Sequence, residues 1–353
     1  MTDVKAYWMV PNCKTFLQLP NAEINYDVKK KSHANKLYQV NCSYSTHQET
    51  VNIIKKLKDK GKQPVAALGL NEFIIPTATD PAEDIELTVL IYHYMTRLYD
   101  ADSFFKSLDF FLNKFELETF QINAETAELI EHTTRKQHQS PYWFKIRLGR
   151  ITASIFKSVC RANIQNSFPP SLLKNICYPE VFNTAATDYG RRMEKTAIEF
   201  LLQDNKAKHK NLKLSPIGFV VDINKCYYGA SPDAMWNCRC CENAPVEVKC
   251  PFNFRNGDIT AYLATKSCSI ILNDSNLYEI KKNHAYYYQV QLQLYILKKK
   301  FAHFFVYSKE QQILIKVPFD GNFVEEQLKK TDLIFKTYIY PELVGKYYTN
   351  IPV

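Results

Sequence analysis

The sequence predicts an α/β protein with a central mixed β-sheet flanked by helices and preceded by a mainly helical N-terminal region. The sheet is indicated by alternating residues at 245–250 and by two apolar runs, 301–308 and 312–318, which read as a hairpin. The flanking helices are indicated by helical spacing of apolar residues over 183–203 and 283–300. With 353 residues and 46% hydrophobic content, the chain can bury a large core.

Composition favours an intracellular protein, in the nucleus or the cytoplasm. Residues 1–13 have neither the basic segment nor the continuous apolar core of a secretion signal, so we expect the ten cysteines to be reduced. No apolar run approaches the length that crosses a bilayer, and we expect no membrane insertion. The net charge of +9 permits a polyanionic partner without requiring one.

Three regions are predicted along the chain. Residues 1–80 contain no motif, and their lysine-rich segment 53–62 is more typical of a solvated helix face than of a DNA contact. A linker at 74–79 leads into a helical scaffold, predicted over 81–137 from a helix start signal and helically spaced apolar residues. Residues 138–345 are predicted to form the functional domain.

A phosphate pocket is predicted around residue 150. One helix should end at Gly149, and a second should begin at Thr152. Arg147 and Arg150 would then flank a helix N-terminus that carries Ser154. Backbone N–H groups, a hydroxyl and a guanidinium together bind phosphate well. The alternative is an ordinary pair of helices with surface arginines.

Two carboxylates and a lysine are predicted to converge on paired strands. Glu247 and Lys249 project from one face of their strand because side chains alternate. The strand-like run 227–231 leads to Asp233, and a polar turn at 237–243 would place Asp233 beside Glu247. Converging carboxylates are ligands for a hard divalent cation. A cross-strand ion pair on the surface is the alternative.

A third carboxylate, Glu194, lies on an otherwise apolar stripe of its helix with Ala197 and Leu201. A buried carboxylate is costly unless a cation or hydrogen bonds compensate it. Arg191 and Arg192 could compensate its charge by forming ion pairs with it. A metal ion is the functional alternative.

Cysteines are concentrated in the turn between the two strands. Cys238, Cys240 and Cys241 could bind zinc together with Cys226 or Cys250. The cluster lacks the paired Cys-x2-Cys spacing of a structural zinc site. We therefore favour reduced thiols on a loop.

Further elements complete the predicted domain. A hairpin is expected from residues 216–222 and 226–230, and a C-terminal helix is expected to begin at Asp320. Gln289 and Gln293 share one side of their helix and should face something polar.

The motifs in this order resemble those of the lambda-exonuclease-like, YqaJ-type viral recombinase family, in the PD-(D/E)-x-K, restriction-endonuclease-like class. The resemblance covers roughly residues 138–340, and its specificity comes from the combination and order of the motifs. They are Trp143-x-Lys145-x-Arg147-Leu148-Gly149-x-Ile151-Thr152-Ala153-Ser154, Gly190-x-x-x-Glu194, Ser231-Pro232-Asp233, Glu247-Val248-Lys249-Cys250-Pro251 and Tyr286-x-x-Gln289-Val290-Gln291.

The resemblance implies a restriction-endonuclease-like core and a metal-dependent deoxyribonuclease, in particular a 5′-to-3′ exonuclease on linear double-stranded DNA. Two Mg²⁺ ions, replaceable by Mn²⁺, would be held by Asp233, Glu247, the Val248 carbonyl and Glu194. Lys249 would position the water nucleophile. The residues expected to bind the 5′ phosphate or the DNA are Arg147, Arg150, Ser154, Ser231, Tyr286 and Gln289.

The resemblance also bears on biological role. It implies DNA recombination, repair, or processing of viral or mobile-element DNA, and a partner protein that anneals the exposed single strand. Oligomerisation, including the ring-shaped trimer that such enzymes form, is left open. The alternatives are an endonuclease or nickase on the same core, a non-catalytic DNA-binding scaffold and a zinc-stabilised interaction module.

Overall fold

The structure, a computed structural model, describes residues 94–164, 168–180 and 184–349. The predicted N-terminal region over 1–80, with its linker and lysine-rich helix, lies outside the described residues. None of the helices in the described part of the chain combines the length and the apolar character that a bilayer crossing requires.

The helices and strands follow one another along the chain in alternating groups. The α-helices are α1 (Leu108–Leu117), α2 (Ala124–Thr133), α3 (Pro141–Arg147), α4 (Phe156–Cys160), α5 (Pro170–Cys177), α6 (Ala185–Lys206), α7 (Ile259–Ala264), α8 (Ala285–Leu297), α9 (Gly321–Ile334) and α10 (Tyr340–Gly345). Shorter helical turns are Met95–Leu98, Ala101–Ser103, Gln137–Gln139, Ala153–Ile155, Phe252–Phe254 and the π-helical Phe335–Ile339. The strands are β1 (Ile151–Thr152), β2 (Lys213–Ser215), β3 (Val220–Val221), β4 (Tyr228–Ala230), β5 (Ala234–Asn237), β6 (Ala244–Lys249), β7 (Ile270–Leu272), β8 (Tyr278–Ile280), β9 (Phe301–Tyr307) and β10 (Gln312–Pro318).

The central sheet has five strands in the order β10-β9-β6-β5-β2. Strands β6 and β9 are parallel, and the other neighbours are antiparallel, so the sheet is mixed as predicted. A parallel pair needs a long crossover, which here contains helix α8. The predicted hairpin of β9 and β10 is confirmed.

Helices cover both faces of this sheet. On one face, Ala197 and Leu201 of α6 pack against Val248 of β6. On the other face, Val290 of α8 packs against Phe304 of β9. The predicted arrangement of a mixed sheet between helices is confirmed.

A smaller sheet has the order β1-β4-β3, with β3 and β4 forming the predicted antiparallel hairpin. The expectation that the run 227–231 would pair with residues 245–250 is wrong. Strand β4 stays in the small sheet, and β5, which begins directly after Asp233, pairs with β6 instead. Pro232 has no N–H for a sheet ladder, which explains why the chain leaves one sheet here and enters the other.

The described part of the predicted helical scaffold shares a hydrophobic core with the rest of the chain. Phe111 of α1 and Ile130 of α2 lie in the same buried cluster as Phe219 and Phe335. The predicted boundary between this scaffold and the functional domain stays a prediction.

The predicted turn before the small sheet is present. Helix α3 begins at Pro141 and ends at Arg147, and Gly149 follows with a φ of 68°, a left-handed conformation that glycine adopts readily. The next helix begins with a 3₁₀ turn at Ala153–Ile155, which carries Ser154, before α4.

Candidate active site

A cavity of about 330 Å³ lies where α3, the 3₁₀ turn at Ala153–Ile155, α6, β6 and α8 meet. It brings together eight of the predicted site residues. These are Arg147, Ser154, Glu194, Ser231, Asp233, Glu247, Lys249 and Gln289.

Glu247 is the most firmly held of the acidic groups. Its carboxylate is 1% exposed and accepts hydrogen bonds of 2.6 Å from the side-chain amides of both Gln289 and Gln293. The Lys249 ammonium donates to the same carboxylate, which places both side chains on one face of β6 as predicted. The polar group that the two glutamines face is therefore Glu247.

Asp233 is fixed beside Glu247 by the backbone of β6. Its carboxylate accepts a 2.6 Å hydrogen bond from the Val248 N–H, and its own N–H donates to the Val246 carbonyl at 3.0 Å. Burial, and next the negative charge of Glu247, raise the pKa of Asp233 well above its usual range, although Lys249 acts in the opposite direction. The site therefore holds this carboxylate at an electrostatic cost.

Glu194 reaches the same cavity from α6. Within the described residues it has no hydrogen-bond or ion-pair partner, and burial followed by repulsion from Glu247 raises its pKa. The candidate Arg191 lies 3.9 Å from the Asp188 carboxylate. The candidate Arg192 donates to the Asp188 carbonyl at 3.4 Å.

The side chains of this cluster suit a divalent cation. Three carboxylates meet with one lysine, and burial, followed by repulsion from Glu247, raises the pKa values of Asp233 and Glu194. A hard cation with oxygen ligands would remove that repulsion. The carbonyl of Val248 as a further ligand stays a prediction.

Lys249 remains a cation in this surrounding. Burial by itself would lower its pKa, but the charges of Glu247 and Asp233 raise it above the usual value. Its ammonium also lies 4.7 Å from the centre of the Tyr286 ring, a cation–π distance. The protonated amine can therefore donate hydrogen bonds to a water or a phosphate oxygen.

A second group of contacts forms the predicted phosphate pocket. The Arg147 guanidinium stacks 3.9 Å from the Trp143 ring centre, and one of its nitrogens lies 3.3 Å from the Ser154 hydroxyl. The Trp143 indole donates to the Ser231 hydroxyl at 2.9 Å. Burial lowers the pKa of Arg147 to about 10, which leaves it cationic at neutral pH. A cation and two hydroxyls thus face one space.

Arg150 is not part of this pocket, and the prediction that it binds DNA is wrong. Its side chain is 1% exposed, and its guanidinium donates to the carbonyls of Cys226 (2.7 Å) and Ile146. The residue follows the left-handed turn at Gly149, and its side chain links α3 to the loop between β3 and β4.

Tyr286 does not line the cavity either, since its ring packs against Phe304 and beneath the Lys249 ammonium. Tyr286 therefore contacts Lys249 and does not face the predicted phosphate pocket. Gln289 lines the cavity, with its amide engaged by Glu247.

Sequence reasoning missed several residues that shape the site. Gln137 donates to the Pro232 carbonyl at 2.8 Å and so braces the segment between Ser231 and Asp233. His138 lines the cavity close enough to Glu194 for its charge to lower that carboxyl's pKa. Trp143 was visible as part of a motif, but its link between Arg147 and Ser231 needs the folded chain.

The segment that contains this site is similar to a known protein family. Residues 142–300 match the family model of the YqaJ-like viral recombinase domain. This match confirms the resemblance that the motifs predict.

Two curated relatives are alkaline nucleases of insect viruses. The protein of Autographa californica nuclear polyhedrosis virus is 25% identical over 213 residues, which are 56% of this chain and 48% of that protein. The protein of Orgyia pseudotsugata multicapsid polyhedrosis virus is 28% identical over 225 residues, 58% of this chain and 48% of that protein. The chain spans about half the length of the curated relatives it matches.

Solved structures with some similarity to this chain include two exonucleases. The alkaline exonuclease of Laribacter hongkongensis is 17% identical with a TM-score of 0.44, over 58% of this chain and 94% of that one. The Shutoff and Exonuclease Protein of Kaposi's sarcoma-associated herpesvirus is 13% identical with a TM-score of 0.44, over 64% of this chain and 76% of that one.

Proposed function

We propose that the protein is a metal-dependent deoxyribonuclease, and specifically a 5′-to-3′ exonuclease on linear double-stranded DNA. The observation that carries the proposal is the placement of an acidic cluster and an arginine–serine pocket in one cavity. The YqaJ-like domain and the relatives named alkaline nuclease support the nuclease class.

The carboxylates of Asp233, Glu247 and Glu194, with the Val248 carbonyl, would hold Mg²⁺, and Mn²⁺ should substitute. When bound, such ions supply positive charge to the scissile phosphate and acidify a bound water. The fit of the donor set rests on three carboxylates that meet with a single compensating lysine.

The chain's own residues then have distinct tasks. The Lys249 ammonium orients the water and stabilises negative charge on the phosphate as the water oxygen forms its bond to phosphorus. Gln289 and Gln293 keep the Glu247 carboxylate in place through their hydrogen bonds. The bond between phosphorus and the 3′ oxygen breaks. The attacking water gives up one proton to the solvent, and the 3′ oxygen takes one up from the solvent to become a 3′ hydroxyl.

Arg147, Ser154 and Ser231 would bind the terminal 5′ phosphate beside this centre. A guanidinium fixed by stacking on Trp143 loses little side-chain freedom when it binds an anion. Release of the first nucleotide leaves a new 5′ phosphate on the shortened strand, which can occupy the same pocket. This relation would favour repeated cutting from a 5′ end.

We extend the proposal to the biological setting. The substrate is double-stranded DNA in recombination, repair or the processing of viral or mobile-element DNA, and a single-strand annealing protein is the expected partner. Because phosphate contacts release counterions, binding should weaken as the salt concentration rises.

The experiment that tests the proposal uses linear duplex DNA labelled at the 5′ or the 3′ end, with Mg²⁺, beside closed circular DNA. We expect early release of the 5′ label as a mononucleotide and intact circles. Cutting of circles would instead support an endonuclease or nickase on the same core. Binding without cutting of any DNA would support a non-catalytic scaffold.

A further inference from the structure

A second cluster of side chains of the metal-ligand type lies at the far end of the hairpin that carries Asp233 and Glu247. Asp233 precedes β5 at one end, and the turn that joins β5 to β6 closes the other end. Three cysteines of that turn meet a histidine from the loop after α6. The cluster consists of His209, Cys238, Cys240 and Cys241.

The distances within the cluster match a tetrahedral metal site. The Nδ1 atom of His209 lies 3.7 Å from the Cys238 Sγ, 3.5 Å from the Cys240 Sγ and 3.6 Å from the Cys241 Sγ. The sulfur atoms of Cys238 and Cys240 are 3.6 Å apart. Tetrahedral zinc with its usual bond lengths requires about 3.5 Å between nitrogen and sulfur and about 3.8 Å between sulfurs.

The surrounding chain holds the ligands in this arrangement. The Lys210 N–H points to the Cys240 sulfur at 3.3 Å, and the Arg239 N–H donates to the Lys210 carbonyl at 2.9 Å. The His209 ring packs edge-on against Trp236, with ring centres 5.0 Å apart. Supports of this kind around the ligands orient them and raise the affinity of metal sites.

We propose that these four side chains bind one structural zinc ion. Three thiolates and an imidazole select zinc over Mg²⁺ or Ca²⁺, which prefer oxygen ligands. Four protein ligands complete a tetrahedron, which is the pattern of a structural site rather than a catalytic one. The observed sulfur separation far exceeds the disulfide bond length of about 2.05 Å.

The zinc ion would link two elements that carry the acidic residues, and it would not contact the substrate. The loop that contains His209 follows α6, the helix of Glu194, whereas the cysteines join the strands next to Asp233 and Glu247. Zinc at this position would therefore fix α6 relative to the β5–β6 hairpin. The proposal does not depend on the nuclease activity.

The test measures zinc in the full-length protein, purified without chelator, by elemental analysis. We expect about one zinc per chain and, after exchange with Co²⁺, the intense visible absorption of tetrahedral thiolate-bound cobalt. Replacement of His209 separates ligand chemistry from fold: His209→Ala should lose most of the zinc, whereas His209→Cys, which keeps four ligands, should retain it. Cys268→Ala, a buried cysteine outside the cluster, is the control and should retain zinc.

A measurement on the unaltered chain covers the case in which the variants fail to fold. Titration with a mercurial should release the zinc as the three cluster thiols react. Absence of zinc in protein expressed with added zinc, or equal zinc content in wild-type and His209→Ala protein, would overturn the proposal.

Discussion

The carboxylate of Glu247 and the side-chain amide of Gln293 form a 2.6 Å hydrogen bond in which both side chains are buried. The amide oxygen of Gln293 has no hydrogen-bond partner among the described residues, so the contact with Glu247 alone fixes the orientation of the amide. Gln293 is therefore a positioning residue for the proposed metal ligand.

Gln293→Met should raise the Mg²⁺ concentration needed for half-maximal nuclease activity by about tenfold or more, because hydrogen bonds to a metal ligand tune its affinity. The matched control is Gln291→Met on the same helix, which removes hydrogen bonds to the Pro318 carbonyl and from the Asp320 N–H, outside the cavity. Both variants should lose stability. An equal Mg²⁺ requirement in the two would show that Gln293 acts on stability alone.

Arg147→Ala should reduce the preference for 5′-phosphorylated over 5′-hydroxyl duplex ends by about tenfold or more, the usual weight of a charged hydrogen bond. The measurement compares kcat/KM for the two substrates. Arg255→Ala provides a control, because Arg255 also stacks on an aromatic ring, that of Phe252 at 4.1 Å, but outside the cavity. An unchanged preference in Arg147→Ala would remove this residue from end recognition.

The sequence predicts much of the fold because its strongest patterns are local. Strand β6 and the helix that carries Glu194, Ala197 and Leu201 were each predicted from one short segment, and both are present in the structure. Strand β5 was not predicted because it is only four residues long and follows Pro232. The longer apolar run before Pro232 was predicted to pair with β6 instead.

The site was harder to predict where a side chain's direction depends on tertiary contacts. In the sequence, Arg147 and Arg150 are equivalent, since both lie beside a predicted helix start. Only the fold shows that Arg150 is buried and donates hydrogen bonds to backbone carbonyls. The interpretation that the cysteine cluster lacks Cys-x2-Cys spacing is wrong, because Cys238 and Cys241 have it. His209 lies 29 residues before Cys238, so its place in the cluster follows from chain folding and not from a local motif.

Asp233→Asn should stabilise the protein in buffer with EDTA. Burial and Glu247 raise the pKa of Asp233, so the folded chain binds this proton more tightly than the unfolded chain does. Stability from this group is present at low pH and is lost as pH rises through the raised pKa. Removing the charge should therefore raise the free energy of unfolding by about 1 kcal/mol near neutral pH, which corresponds to about 3 °C in Tm. Gains of this size are typical when a destabilising feature of a functional site is removed.

Two controls accompany this Tm measurement. Asp274→Asn changes an exposed carboxylate and should leave Tm near the wild-type value. Mg²⁺ should raise the Tm of the wild type and of Asp274→Asn more than that of Asp233→Asn. A loss of stability in Asp233→Asn with EDTA present would contradict the repulsion inferred at this site.

The most direct measurement is Mg²⁺-dependent cleavage of linear duplex DNA by Lys249→Met, compared with Lys329→Met. Lys329 is an exposed residue of α9 that pairs with Glu325, so its loss should have no effect. We predict that Lys249→Met cleaves at least about 100-fold more slowly while it still binds DNA, because the ammonium beside Glu247 acts on the reacting phosphate. Cleavage by Lys249→Met at the wild-type rate would contradict the assignment of the chemistry to this cavity.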